Sequence, residues 1–217
     1  MADIFREVDE ELSRDRALAA WRRHGKYVIA FGVAAVIAVA AYSGWQDYRE
    51  RQRQADGRSY ARAIDLVVRN DVSAATAAMA DIAEKGGGYR VMALLEEASL
   101  KAGAGDRAGA LKIYDAIAAD SSFGLPFREL ASILSAVASL DSADPQALTK
   151  KLQPLAGEGQ PFRPSAIELQ GLLALRQGDF KAAKQYFRTL SDDAAAPGGL
   201  RQRATQILAW IGERGGA

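Results

Sequence analysis

The chain has 217 residues and a nearly balanced charge, with 28 basic and 27 acidic side chains. This balance excludes a general electrostatic attraction to nucleic acid or to acidic partners. The chain has no cysteine and a single histidine, His24, which excludes disulfides, thiolate nucleophiles, histidine triads and multi-histidine metal sites. Alanine, leucine, arginine and glutamate are abundant and prolines are few, so the composition predicts an all-α fold.

Residues 1–26 are predicted to form a charged leader that contains a short amphipathic helix. Apolar residues recur there at roughly helical spacing, and acids and arginines occupy the other positions. The apolar face comprises Ile4, Phe5, Val8, Leu12 and Ala19. A face this narrow fits docking onto a partner or the membrane surface, and it fits equally well a solvated leader that folds only weakly.

Residues 27–46 form an uncharged run that is bounded by Lys26 and Asp47. As a helix, these 20 residues extend roughly 30 Å, which is the thickness of the hydrocarbon core of a bilayer. Aromatic residues of the kind that favour the lipid headgroup boundary flank the run. The predicted membrane-interface anchors are Trp21, Tyr27, Tyr42 and Trp45. The run therefore predicts a single N-terminal transmembrane helix.

Two other interpretations of this run are weaker. A buried core helix of a soluble domain usually carries a polar stripe, and the run has none. A cleaved secretory signal is suggested by Ala38-Val39-Ala40, which resembles a small-residue cleavage site. A signal peptide normally has a short basic leader, whereas six acids precede this run, so an uncleaved signal-anchor is favoured.

The orientation of the span is nearly tied by the positive-inside rule, because basic residues lie close to both of its ends. The C-terminal flank carries Arg49, Arg51, Arg53, Arg58 and Arg62. The tighter cluster at residues 22–26 and the short N-terminal segment favour a cytoplasmic N-terminus, with the large domain on the far side. A juxtamembrane linker or helix extension at residues 47–55 then leads to a repeat domain over residues 56–217.

Four predicted helix-pair units follow one another at spacings of 35, 38 and 35 residues. The first helices share a small residue at Ala63, Ala98, Ala136 and Gly171. The second helices share three positions, namely Ala75, Ala110, Leu148 and Ala183; Met79, Tyr114, Leu152 and Phe187; and Ile82, Ile117, Leu155 and Leu190. Small residues let paired helices approach closely, and the large apolar residues fill the space between neighbouring units. The pattern predicts an α-solenoid.

Turn signals agree with these units. Within units the turns are predicted at 103–106, 142–145 and 177–179. Glycine ends the first helix at 103–106 and 177–179, and proline lies in the first turn of the second helix at 142–145. In each turn an aspartate can cap the second helix. Between units the connectors are predicted at 86–88, 121–122 and 157–161. A C-terminal capping helix is predicted after Pro197, with Leu200, Ala204, Ile207, Leu208 and Ile211 on its apolar side.

The units resemble tetratricopeptide repeats. The segment from Gly171 to Phe187, GLLALRQGDFKAAKQYF, is a good match to that consensus, and the segment from Leu94 to Tyr114 is a fair match. Units one and three are degenerate, since Leu148 replaces the usual small residue of unit three. The fold predicted is thus a transmembrane helix followed by tetratricopeptide-like helix pairs.

The order of the segments resembles a more specific family. A leader beginning IFREVDEEL precedes WRRHGKY, one apolar helix, an arginine-rich exit and degenerate repeats. This arrangement is similar to the YfgM-type family of bacterial inner-membrane proteins, ancillary subunits of the Sec translocon. The resemblance implies a cytoplasmic N-terminus, a periplasmic repeat domain, and partnership with translocon channel subunits and a membrane-anchored periplasmic folding factor. It further implies help in transferring secreted chains to periplasmic chaperones.

Stacked helix pairs curve, so the first helices are expected to line a groove that suits an extended peptide or a partner helix. Carrying the repeat pattern over gives the groove candidates Met92, Leu95, Ser99, Ser165, Glu168, Leu172 and Arg176. Leu95 and Leu172 fit a place in the core equally well.

Nothing in the sequence predicts catalysis, a cofactor or a metal. The glycines at 86–88 lack the lysine and hydroxyl residue of a nucleotide-binding loop. Adjacent acids such as Glu96-Glu97 and Asp192-Asp193 do not face each other and are expected on solvated surfaces. The expected function is a membrane-anchored protein–protein interaction module of the Sec translocon. The alternatives are a membrane-bound scaffold for envelope assembly or cell division, and a repeat domain that stays in the cytoplasm.

Overall fold

The computed structural model describes residues 2–214, with the side chains of residues 2–17, 19, 20, 28 and 214 outside the description. Within these residues the chain forms nine α-helices and no strand, which confirms the predicted all-α class. The helices are α1 Ala2–Val68, α2 Val72–Lys85, α3 Arg90–Gly103, α4 Arg107–Ala119, α5 Leu125–Ser139, α6 Pro145–Leu152, α7 Arg163–Arg176, α8 Phe180–Asp192 and α9 Gly198–Arg214. A 3₁₀ turn, Gln153–Ala156, follows α6.

The chain divides into two units, Met1–Ala55 and Asp56–Ala217. The first consists of the N-terminal part of α1, including residues 27–46. Every described side chain from residue 29 to residue 46 is exposed. The predicted amphipathic face of the leader, with Ile4, Phe5, Val8, Leu12 and Ala19, lies outside the described side chains.

The second unit is a stack of helix pairs. The end of α1 packs against α2 in one core cluster. The further pairs are α3 with α4, α5 with α6, and α7 with α8. Every position of the predicted repeat pattern, small or large, is buried. Burial of one large apolar side chain contributes about 1.5–3 kcal/mol, and each unit supplies two or three of them. Because each such residue packs between neighbouring helices, no pair buries its apolar face alone.

Aspartate caps the second helix of every unit. The side chains of Asp71, Asp106, Asp144 and Asp179 accept hydrogen bonds from the backbone N–H three residues later, at 3.1, 2.9, 2.8 and 2.9 Å. These aspartates recur at the same spacings of 35, 38 and 35 residues as the buried positions. Such a cap satisfies one of the N–H groups that a helix leaves unpaired at its start.

The residue before three of these aspartates has a positive φ. Gly105 and Gly178 have φ values of 91° and 75°, and Asn70 has a φ of 59° in unit one. Asparagine tolerates the left-handed region better than most residues with a side chain. Asn70-Asp71 is therefore the turn of the first unit, which sequence analysis did not single out.

A close approach of two helices explains the smallest residue in the pattern. Gly171 in α7 is buried against the ring of Phe187 in α8. A Cβ placed on Gly171 would lie 2.8 Å from Cζ and 2.9 Å from Cε2 of that ring. Only glycine fits this contact without a shift of the aromatic ring.

Helix α9 closes the stack. It packs against α8 and also contacts α7, and its buried residues Ala204 and Ile211 join the core of unit four. Its polar side chains Gln202, Arg203, Gln206 and Glu213 are exposed. The predicted capping helix is confirmed, because an apolar side covers the last pair and a polar side faces solvent.

Candidate functional site

The first helices of the units form a continuous face of the repeat domain. Helix α3 contacts α5, α5 contacts α7 and α7 contacts α9. Equivalent positions on α3, α5 and α7 therefore lie in rows across neighbouring helices. One row contains Met92, Leu130 and Ser165, and another contains Ser99, Val137 and Leu172. We call these two rows the first-helix face.

The unit-two candidates differ in exposure. Met92 and Ser99 are exposed, with 41% of Met92 accessible, and both lie on the first-helix face. Leu95 is half-buried and packs against the two core clusters that contain Ile117 and Tyr114. Core packing thus occupies part of Leu95, and its place on a binding surface stays a prediction.

The unit-four candidates are mostly held by contacts inside the domain. Glu168 accepts hydrogen bonds from Arg203 of α9 at 2.8 and 3.3 Å. This ion pair raises the pKa of the Arg203 guanidinium above its ordinary value through the hydrogen bond and the charge of Glu168. Leu172 is half-buried and packs against the cores of units three and four. Ser165 is half-buried.

Arg176 has a structural contact that the sequence did not reveal. Its guanidinium donates hydrogen bonds of 2.7 and 2.8 Å to the backbone carbonyls of Leu140 and Ala143, just beyond the end of α5. Carbonyls at the end of a helix lack intrahelical partners, and a cation there also opposes the negative end of the helix dipole. Arg176 therefore links units three and four.

Unit three supplies a residue of the first-helix face that sequence analysis missed. Val137 on α5 is 54% exposed, although its neighbours Ala136 and Ser135 are fully buried. Val137 lies 38 residues after Ser99 and 35 before Leu172, the spacing of the repeat itself. The repeat spacing was therefore the sequence signal that could have identified Val137 as a residue of this face. With Met92, it leaves two apolar side chains exposed on neighbouring helices.

A polar cluster joins α4 of unit two to α5 and α6 of unit three. The Ser135 hydroxyl donates to Asp115 Oδ1 at 2.7 Å, and Lys151 Nζ donates to both groups at 2.6 and 2.7 Å. Burial acts to raise the pKa of Asp115, but the hydrogen bonds from Lys151 and Ser135 and the charge of Lys151 outweigh it, so the pKa is lowered.

A serine beside a lysine is also the arrangement of some hydrolase nucleophiles. Ser135 is fully buried, so its hydroxyl has no access to a substrate. The cluster is therefore a link between helices that satisfies a buried hydroxyl.

The prediction that the adjacent acids lie on solvated surfaces is wrong for two of them. Glu97 and Asp193 are not on solvated surfaces as expected, with side chains only 12% and 16% exposed. Within α3, adjacent residues point about 100° apart, so Glu97 turns inward. Asp193 lies one residue beyond the end of α8, in an extended conformation. Lys101 pairs with Glu97 at 3.5 Å, and Arg163 pairs with Asp193.

Glu96 has a different role beside two tyrosines. Burial and then the charge of Glu96 raise the pKa of Tyr60 and of Tyr114 above the ordinary tyrosine value. Tyr60 also stacks on Tyr89, with ring centroids 5.1 Å apart. The protonated phenols add rigid packing between units one and two.

The aromatic anchors predicted for the apolar helix all lie exposed on α1. Trp21, Tyr27, Tyr42 and Trp45 each leave more than half of their surface accessible. Among the described residues, one helix segment, Trp21–Val68, is long and apolar enough to cross a membrane by length and composition. None of its most apolar stretch is buried by the rest of the chain.

No group of three or more metal-ligating side chains occurs among the residues that the structure describes. The first-helix face offers contacts for a macromolecule, namely the exposed apolar side chains of Met92 and Val137 and the hydroxyls of Ser99 and Ser165.

A comparison with known families is consistent with this geometry. The family model of the tetratricopeptide repeat-like domain matches residues 19–207, which include the apolar segment as well as the repeats. No curated protein matches the chain in sequence.

Proposed function

Because the chain belongs to the tetratricopeptide repeat-like domain family, we propose that it is a membrane-anchored, non-catalytic protein–protein interaction module. Interaction with proteins is the general role that the repeat-like domain implies. The membrane anchor is part of the proposal, and it is supported by the uncharged, exposed run at residues 27–46 and by the aromatic residues beside it.

The observation that carries the binding role is the apolar exposure of the first-helix face. Met92 and Val137 lie on neighbouring helices that pack against each other, and both expose a large part of an apolar side chain. Ser99 and Ser165 add hydroxyls that can bond to a peptide backbone. Such a surface suits an extended segment or a helix with apolar anchors.

We propose further that the module serves the Sec translocon, as an ancillary subunit that helps secreted chains reach periplasmic chaperones. The resemblance of the leader, span and arginine-rich exit to the YfgM-type family supports this assignment. On this proposal, the N-terminus lies in the cytoplasm and the repeats lie in the periplasm of a bacterial inner-membrane protein. Its partners would be channel subunits and a membrane-anchored periplasmic folding factor.

Site-specific photo-crosslinking in intact membranes tests both levels of the proposal. A photoreactive phenylalanine analogue is placed at Met92 or Val137, and at exposed Gln185 on α8 as the matched control. Crosslinked partners are expected at positions 92 and 137 and not at 185. Equal or absent crosslinking at all three positions would contradict binding by the first-helix face.

Mass spectrometry of the crosslinked species then separates the finer alternatives. Recovery of translocon channel subunits supports the secretion role. Recovery of envelope-assembly or division proteins without channel subunits overturns it in favour of a scaffold. A reporter fused after Ala217 that is active only in the cytoplasm would refute the proposed orientation.

A further inference from the structure

A stripe of aromatic and basic side chains follows the apolar run of α1. Tyr42, Trp45, Arg49 and Arg53 line one hollow on the surface of this helix. Their spacing of three and four residues places them on one helix face. Two acids also line the hollow, but Asp47 pairs with Arg51 and Glu50 accepts a hydrogen bond from Gln54. The aromatic pair lies at the end of the uncharged run, and the two arginines lie beyond it.

The charges of this stripe are poorly compensated. Among the described side chains, Arg49 has no acidic partner within salt-bridge distance, and Arg53 reaches Glu50 only at 4.0 Å. Arg51 differs, because it forms a 2.7 Å ion pair with Asp47. Arg49 therefore keeps its charge available for another group, and Arg53 is only loosely paired.

The depth of the stripe matches one layer of a bilayer. A helix rises about 1.5 Å per residue, so Arg49 lies roughly 4.5 Å and Arg53 roughly 10 Å beyond Gln46. The headgroup layer on each side of the hydrocarbon core is about 5–7 Å thick. Arg49 thus lies within that layer, and the long side chain of Arg53 can reach back into it.

We propose that Arg49 and Arg53, beside Trp45, form a binding site for the headgroup phosphate of anionic lipids. The planar fork of arginine suits phosphate oxygens, and an indole at the boundary fixes the depth of the helix. The inference rests on the proposed membrane anchor. It adds a lipid preference that an uncharged span alone does not provide.

Lipid retention by the full chain tests this site. The protein is reconstituted in bilayers of equal parts phosphatidylglycerol and phosphatidylcholine and extracted gently, and the bound lipids are counted by native mass spectrometry. Wild type is expected to retain phosphatidylglycerol preferentially. R49Q/R53Q should lose roughly 25-fold of that preference, because each of the two arginines near an anionic surface is worth about fivefold in binding.

A charge-matched variant serves as the control. R51Q/R69Q removes the same two charges, but each of these arginines is already paired with an acid four residues earlier. It should keep the wild-type lipid preference. Equal losses in both double variants, or no loss in R49Q/R53Q, would overturn the site.

Alkaline extraction distinguishes this failure from failure of the anchor. If wild type stays in the membrane pellet at high pH but shows no lipid preference, only the lipid site is wrong. If wild type is released into the supernatant, the membrane anchor itself is wrong and the lipid site is wrong with it.

Discussion

The contact between Gly171 and Phe187 gives the sharpest test of how the repeats pack. A methyl group at position 171 would lie 2.8–2.9 Å from two ring carbons, and Phe187 is fully buried, so its ring has no free space into which to turn. Overpacking of this kind costs about 1–3 kcal/mol. Replacing glycine with alanine inside a helix recovers about 0.5–1 kcal/mol. G171A should therefore lower the free energy of unfolding by roughly 1–2 kcal/mol.

Thermal unfolding of the full chain in detergent, followed by circular dichroism, measures this change. For a chain of this size, 1 kcal/mol corresponds to about 2–4 °C, so Tm should fall by roughly 3–6 °C. The other units suggest the compensating change, since unit three pairs Ala136 with Leu152 at the equivalent positions. G171A/F187L reproduces that pair.

A double-mutant cycle decides whether the ring is the cause. F187L alone should destabilise by leaving a cavity, but in its presence G171A should cost nothing or add stability. The coupling energy between the two sites should then be about 1–2 kcal/mol. A stabilising G171A in the wild-type background, or strictly additive effects, would refute the close-approach explanation.

Three further predictions concern polar contacts. D179A should cost about 1 kcal/mol in urea unfolding through loss of the α8 cap, whereas D141A in an exposed turn should be near neutral. The pKa of Asp115 is lowered in the folded state, so its carboxylate contributes stability above the unfolded pKa of about 3.8, and this stability is lost as pH falls through the lower folded pKa. D115N should therefore reduce the loss of unfolding free energy at acid pH, measured by urea unfolding at a series of pH values. An unchanged loss at acid pH would contradict this. R203Q should cost less than about 1 kcal/mol, and its effect should shrink in 1 M salt; a salt-independent loss would argue against the exposed ion pair with Glu168.

Sequence analysis reached far into the fold because the main signals are local or periodic. Capping by Asp106, Asp144 and Asp179 depends on backbone N–H groups three residues away, so it can be predicted from a short segment of sequence. Core positions recur with the repeat, so every position in the alignment of the units is buried. Unit one was the weaker case, because Asn70 stands where units two and four have a glycine.

The interaction surface was only partly predictable. Position in a helix fixes the direction of a side chain, but its exposure depends on which helices of other units pack beside it. Hence Met92 and Ser99 were placed on the open face, Leu95 proved half-buried, and Val137 was missed. The functional role of these residues remains a prediction for the crosslinking experiment.

By itself, the sequence determined the helical class, the period of the repeats, their caps and an uncharged segment of bilayer length, since each depends on composition or on neighbours a few residues apart. Only the tertiary structure decided the partners of the charged groups. Arg176 reaches carbonyls 33 and 36 residues earlier, and Lys151 reaches Asp115 across 36 residues. Such contacts leave no local pattern, because stacking of the units alone brings those side chains together.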